Sequence, residues 1–255
     1  MILSVKAPVF TDIYDCETSM PHKRMRELIV LSLCCYSYAS WGAGFGINAT
    51  RIIYHEQAPA AQVSLRNTLV DTAYLVQATV VDNSGLPVKD FAVLPPLFRL
   101  NPGSDSSVRI VYQPLTGLRE DRESVFYFKT VAIPNTNPLT RDGRMMTGQL
   151  KMAVGNRIKL FYRPKGIVDP SKDTFRKLTF SRVPAGIKVN NPTPYNVTLS
   201  TMSVDGSAVS IVRTKSMISP FSSEVYLSST PGKKTVKWGV INDLGGVDEY
   251  SGVVQ

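Results

Sequence analysis

"GQLKMAVGNRIKLFYRP", Gly148–Pro164, reads as a strand with two unlike halves. Side chains of an extended chain alternate between faces, so Leu150, Met152 and Val154 share one side, with Lys151, Ala153 and Gly155 on the other. Two cations follow, Arg157 and Lys159, which no nearby acid in the sequence neutralises, and then the apolar-aromatic run Leu160, Phe161 and Tyr162. Periodicity leaves two readings open. The three apolar residues either face the domain's own core or stand on an exposed edge, a liability that proteins normally blunt. When such an edge is kept, strand addition to a partner is a reason to keep it.

Working outward, the chain upstream is a succession of strand-like and turn-like segments. "TRIIYHEQ" (Thr50–Gln57) is β-rich, and "AQVSLRNTL" (Ala61–Leu69) alternates with Val63, Leu65 and Asn67 on one side. "YLVQATVVDNSGLP" (Tyr74–Pro87) is a β-branched run closed by a turn signal. Pro95-Pro96 removes two ladder donors, which places it at a bend or edge and suits it to a cis bond. "RESVFYFKTVAIP" (Arg122–Pro134) alternates again, and a Pro/Asn/Arg-rich connection leads into the opening stretch. Downstream, "YRPKGIVDPSKD" (Tyr162–Asp173) reads as a hinge, and a second series of short strands begins at Leu178. No amphipathic helix longer than two turns is evident after the first 42 residues. The expected fold is all-β, with two tandem immunoglobulin-like β-sandwich domains spanning 43–165 and 166–255.

Residues 1–42 read differently. A basic opening (His22, Lys23, Arg24, Arg26) precedes an apolar core from Leu28 to Ala39 and small residues acceptable to a signal peptidase at Ala39 or Gly42. The core is shorter than the roughly 20 residues needed to span a bilayer. The acids Asp12, Asp15 and Glu17 make residues 1–19 a poor signal opening, so Met20 or Met25 is an alternative start. All three cysteines (Cys16, Cys34, Cys35) fall in this leader. The expected mature chain therefore has neither a disulfide framework, nor a thiol nucleophile, nor a Cys-based metal site, although export would take it to a disulfide-permissive compartment.

The leader carries equal numbers of basic and acidic residues, so the rest keeps the whole-chain net charge of +9. Its cations are dispersed, without a Lys/Arg block or an RNA-binding aromatic signature, which argues against nucleic acid. Acidic protein partners or an anionic group on a ligand fit better. Chemistry is sparse. Outside the leader His55 is the sole histidine, so no zinc site can be assembled, and no nucleophile elbow, P-loop or dinucleotide fingerprint occurs. Asn48-Ala-Thr50 and Asn196-Val-Thr198 are formal glycosylation sequons, a weak signal alone. No cofactor, metal or small-molecule substrate is expected, and a binding or structural role leads over an enzyme.

Seven blocks in order carry a family resemblance: "TRIIYHEQAPAAQVSLRNT" (Thr50–Thr68), "YLVQATVVD" (Tyr74–Asp82), "LPPLFRLNPG" (Leu94–Gly103), "DRESVFYFKTVAIP" (Asp121–Pro134), "RIKLFYRP" (Arg157–Pro164), "NNPTPYNVTL" (Asn190–Leu199) and "VINDLGG" (Val240–Gly246). Over nearly its whole mature length the chain resembles periplasmic pilus chaperones of the PapD type. That resemblance implies an L-shaped or boomerang arrangement of the two domains, no catalysis, and a periplasmic location. It implies binding of pilin subunits by donor-strand complementation and their delivery to an outer-membrane usher. Leu150, Met152 and Val154 match the family's donor-strand residues. Arg51 and Lys159 match the two cations that anchor the pilin's C-terminal carboxylate. Glu123, Arg163 and Asp243 match a charged trio between the domains. An unloaded donor edge is also expected to be open to self-association. The connection from Asn135 to Gly148 is longer than in the short-loop subgroup, while long-loop relatives often carry a disulfide that this chain lacks. The rival reading is a secreted immunoglobulin-like pilus subunit or adhesin, which would polymerise and would use an N-terminal donor extension; residues 43–49 are too short and too small for one.

Overall fold

A computed structural model describes residues 44–135, 152–212, 215–228 and 235–255. Its strands are β1 (Phe45–Ile47), β2 (Arg51–His55), β3 (Ala61–Asn67), β4 (Ala73–Val81), β5 (Phe91–Leu94), β6 (Leu97–Leu100), β7 (Ser104–Tyr112), β8 (Ser124–Asn135) and β9 (Val154–Arg163). After a one-turn 3-10 helix at Phe175–Lys177 come β10 (Thr179–Val183), β11 (Gly186–Asn191), β12 (Val197–Val204), β13 (Ser207–Ala208), β14 (Met217–Ile218), β15 (Ser222–Leu227), β16 (Thr235–Ile241) and β17 (Val247–Val253).

The first nine strands form two facing sheets, β1-β3-β7-β5 and β2-β9-β8-β4-β6. Alternation decides which residues enter the space between them. In β3, Val63, Leu65 and Asn67 are buried while Gln62 and Arg66 are exposed. Asn67 is tolerated there because its amide donates to Thr72 O (2.8 Å) and Asn101 O (2.9 Å) and its oxygen accepts from Leu69 N (3.0 Å). Tyr54, Phe91, Tyr112 and Tyr162 form an aromatic cluster, the last two with centroids 4.6 Å apart. Burying each such side chain stabilises the fold by about 1.5–3 kcal/mol.

The chain changes sheet twice in ways that shape the functional region. Between β1 and β2, residues 48–50 carry it from one sheet to the other. Between β5 and β6 the same change occurs at Pro95-Pro96, and the Leu94–Pro95 bond is cis, at the bend expected of that pair. In an otherwise antiparallel sheet, β2 runs parallel to β9, with Arg51 opposite Lys159 and His55 opposite Arg163. The second sandwich stacks β10-β11-β15 against β13-β12-β16-β17, with β14 also on β12. Its core includes Phe180 against Trp238, centroids 4.6 Å apart.

Candidate functional site

β9 is paired along its length by β8, from Val154 opposite Ala132 to Tyr162 opposite Ser124. On its other side β2 begins only at Lys159. Among the described residues, Val154 to Ile158 therefore has one open backbone edge, a row of main-chain donors and acceptors free to receive another strand. The side chains follow the pleat. Leu160 is buried in the sandwich and Ile158 packs at its margin. On the same face Val154 runs out beyond the core and is 38% exposed, and Met152 ahead of it is 69% exposed. Met152 precedes the regular strand, which starts at Val154 rather than nearer Gln149. Leu150 lies outside the described residues.

Where the open edge meets β2, a cleft of about 840 Å³ separates the two sandwiches. Arg51 and Lys159 line it, along with Tyr127, Arg157, Thr198 and Ile241, and no carboxylate is among its lining residues. Arg51 Nη1 donates to Ile241 O (2.8 Å), and its guanidinium lies 5.5 Å from the Phe161 ring centroid. Its Nε is buried without a hydrogen-bond partner. Lys159 Nζ donates to Thr198 Oγ1 (3.1 Å). Burial, and then the neighbouring Arg51 charge, bring the Lys159 ammonium down to about 8. Burial also lowers Arg51, against the opposing pull of Asp243 and Glu123. Two desolvated cations with unspent donors make a receptor for an anion, and a carboxylate matches the guanidinium fork.

Behind the cleft, Arg163 gathers acids from three places in the sequence. Its Nη2 donates to Glu123 Oε1 (2.7 Å) and its Nη1 to Asp243 Oδ2 (3.0 Å), with Asp169 bonded to the same Nη1. Glu123 Oε2 in turn accepts from Asn196 N (2.9 Å), and Glu123 N donates to Pro194 O (2.9 Å). Burial works against the Arg163 charge, but the hydrogen bonds and charges of Asp243 and Glu123 outweigh it and hold the group firmly protonated. Burial pushes the Glu123 carboxyl up, partly offset by Arg163 and the Asn196 N–H. The network ties the Glu123 turn of the first sandwich to residues 194–196 and 243 of the second.

Arg51 and Lys159 thus stand side by side in one cleft, and Glu123, Arg163 and Asp243 meet in one network. Several partners were invisible in the sequence reading: Asp169, the Thr198 hydroxyl and the Ile241 carbonyl. Asp169 sits in the hinge segment beside a second acid, Asp173, with nothing to single it out, and a backbone carbonyl leaves no residue-type signal. Asn196, the second sequon asparagine, is buried at the domain junction. His55 ends β2 at the surface, 3.7 Å from Asp169. Among the described residues, no group of His, Cys, Asp or Glu could hold a metal ion.

Comparison with known proteins gives a consistent result. A family model described as "Pili and flagellar-assembly chaperone, PapD N-terminal domain" matches residues 44–168. Another, "Pili assembly chaperone PapD, C-terminal domain", matches residues 173–252. The sequence is 36% identical over 219 residues to the probable fimbrial chaperone protein ElfD of Escherichia coli K12, covering 85% of this chain and 89% of that protein. The crystal structure of the periplasmic chaperone SfaE is similar with a TM-score of 0.68 at 29% identity, covering 83% of this chain and 100% of that one. A chain from the complex of Salmonella enterica SafA pilin with the SafB chaperone matches with a TM-score of 0.70 at 27% identity, covering 84% of this chain and 98% of that one.

Proposed function

The chain belongs to the PapD-like family of pilus-assembly chaperones, and from that premise we propose that it works in the periplasm, capturing pilin subunits by lending them the open edge of β9. The family consists of chaperones rather than enzymes. A pilin whose own sheet lacks a strand exposes an apolar groove and unpaired backbone groups, each expensive to leave unmet. The segment from Leu150 to Ile158 supplies main-chain hydrogen bonds along Val154–Ile158 and apolar side chains at Leu150, Met152 and Val154.

One observation carries the reading: the open edge runs in line with β2 and ends at Arg51 and Lys159. A guest strand added along Val154–Ile158 in the direction of β9 brings its C-terminus to those two cations. A guest running the other way would bring an ammonium there and be repelled. Arg51 and Lys159 therefore anchor the pilin's terminal carboxylate and fix the register of the added strand. Glu123, Arg163 and Asp243 hold the two domains so that the cleft keeps its shape. The loaded chaperone then hands the subunit to an outer-membrane usher. Leu75 and Ile133 on β4 and β8, with Leu97 on β6, are exposed and provide an apolar surface away from the open edge for that second partner.

The test is co-expression with a pilin and purification of the complex. The wild-type chain is expected to yield a stable one-to-one complex. Arg51→Ala and Lys159→Ala are expected to leave a folded chaperone that recovers no pilin. Normal recovery with the double variant overturns the anchoring role. Polymerisation of the purified chain without a pilin would instead favour a structural subunit.

A further inference from the structure

Arg157 and Lys129 are direct cross-strand partners in the β8–β9 pairing, and both are exposed. Like charges directly opposite one another weaken a sheet, and neither residue forms an ion pair among the described residues. Arg157 lines the cleft two residues from Lys159 on the same face of β9. Its guanidinium is held in place: it lies 3.7 Å from the Tyr127 ring centroid, and Nη2 donates to Asp82 O (3.0 Å) and Asn83 O (3.1 Å). Tyr127 OH is braced by Asn83 Oδ1 (3.2 Å).

We infer that Arg157, backed by Lys129, makes the cleft prefer pilins whose last residue has a carboxylate side chain. The inference rests on the proposed capture of a guest strand along the open edge, and it follows from register. β2 starts opposite Lys159. A guest strand in line with β2 and parallel to β9 must stop short of Arg51, with its last residue opposite Arg157. Cross-strand neighbours point to the same face of a sheet. The side chain of that last residue therefore stands beside Arg157 on the same face, where the guanidinium reaches it by swinging off the Asp82 and Asn83 carbonyls, while its α-carboxylate reaches Arg51 and Lys159. An acid at this position neutralises a like-charged pair that the chaperone leaves uncompensated.

The experiment uses acetylated peptides of one alternating apolar sequence ending in Glu or Gln, each made as the free acid and as the C-terminal amide. They are titrated calorimetrically into the purified protein at low and high salt. The Glu free acid is expected to bind about fivefold tighter than the Gln free acid at low salt, with the difference shrinking at high salt. Arg157→Gln should erase that difference and keep the preference for free acid over amide; Lys129→Gln should reduce it. Equal binding of Glu and Gln peptides to the wild type, with the free-acid preference intact, overturns the role of Arg157, as does a Glu preference that survives Arg157→Gln. Loss of the free-acid preference in the wild type overturns the anchoring reading itself.

Discussion

Arg163 and Glu123 meet at 2.7 Å (Nη2 to Oε1) with side chains only 1% and 3% exposed, at the point where the two sandwiches touch. A buried pair is held by the fact that neither partner can be left alone. Removing Glu123 takes from Arg163 its fully buried partner and leaves it only the more exposed Asp243 and Asp169, at about 3–5 kcal/mol. Glu123→Ala also orphans the Asn196 N–H. Asp243 completes the network from a side chain that is 34% exposed, so water can replace part of what it gives. Urea unfolding should therefore rank Glu123→Ala well below Asp243→Asn, with the latter losing about 1–2 kcal/mol. Equal losses would mean that the trio does not work as a buried pair with an outer partner.

Much of this architecture was legible in the sequence, for reasons that separate along physical lines. The alternation of Val63, Leu65 and Asn67 announced a half-buried strand, because a sandwich imposes a period of two. Pro95-Pro96 announced a bend or edge, because prolines cannot donate to a ladder, and the structure shows that bend to be a change of sheet. The meeting of Arg51 with Lys159 was different. It depends on the parallel pairing of β2 with β9, strands far apart in sequence, and only the family resemblance brought the two residues together. The same holds for Arg163 with Glu123 and Asp243. Asp169 carried no resemblance, and so its place on the Arg163 guanidinium was not foreseen. The start of β9 at Val154 was also missed, since an alternating pattern continues past the last residue that finds a pairing partner.

On the proposed anchoring role, Lys159 would give capture a pH dependence with a definite sign. The ammonium of the free protein titrates at about 8, and a carboxylate docked against it stabilises the charged form and raises that value. Binding thus takes up a proton above pH 8. Affinity for a free-acid peptide should be at full strength below about pH 8. It should fall as pH climbs from there through the higher pKa of the complex, by at most about tenfold per unit for a single proton. Lys159→Arg keeps its charge throughout and should flatten the profile, and amidated peptides should show none. Calorimetric titration between neutral and mildly alkaline pH checks this; a flat wild-type profile would remove Lys159 from contact with the guest carboxylate.

Phe221 adopts φ +53°, a left-handed conformation that bulky residues rarely enter, and its ring lies under the Arg122 guanidinium of the other sandwich, 4.8 Å from its centroid. Its amide donates to Thr193 O (3.2 Å), which holds the backbone in place. Two truncations separate the ring from the backbone. Phe221→Ala and Phe221→Gly both lose the contact with Arg122, but only glycine adopts this φ without a Cβ penalty. The glycine variant should be the more stable of the two by about 1 kcal/mol in urea unfolding, because the roughly 1–2 kcal/mol left-handed penalty exceeds glycine's extra chain entropy. Alanine matching or exceeding glycine would show that the strained turn relaxes once the ring is gone.

Substitutions at Met152 and Val154 test whether the edge is lent or kept. Both lie beyond the point where the sandwich closes, at 69% and 38% exposure, whereas Leu160 on the same face is fully buried. Met152→Glu and Val154→Glu place a charge where the free protein meets water but where a guest groove would be apolar. The free variants should unfold within about 0.5 kcal/mol of wild type. Pilin recovery should nevertheless collapse, because a carboxylate would have to be desolvated in the groove. Leu160→Ala is the opposite control: a cavity in the chaperone's own core should lower its stability by about 2–5 kcal/mol. The two measurements must diverge for the proposal to stand. If Met152→Glu melts the free chaperone as Leu160→Ala does, its side chain belongs to the chaperone's own core and cannot be the one that fills the guest.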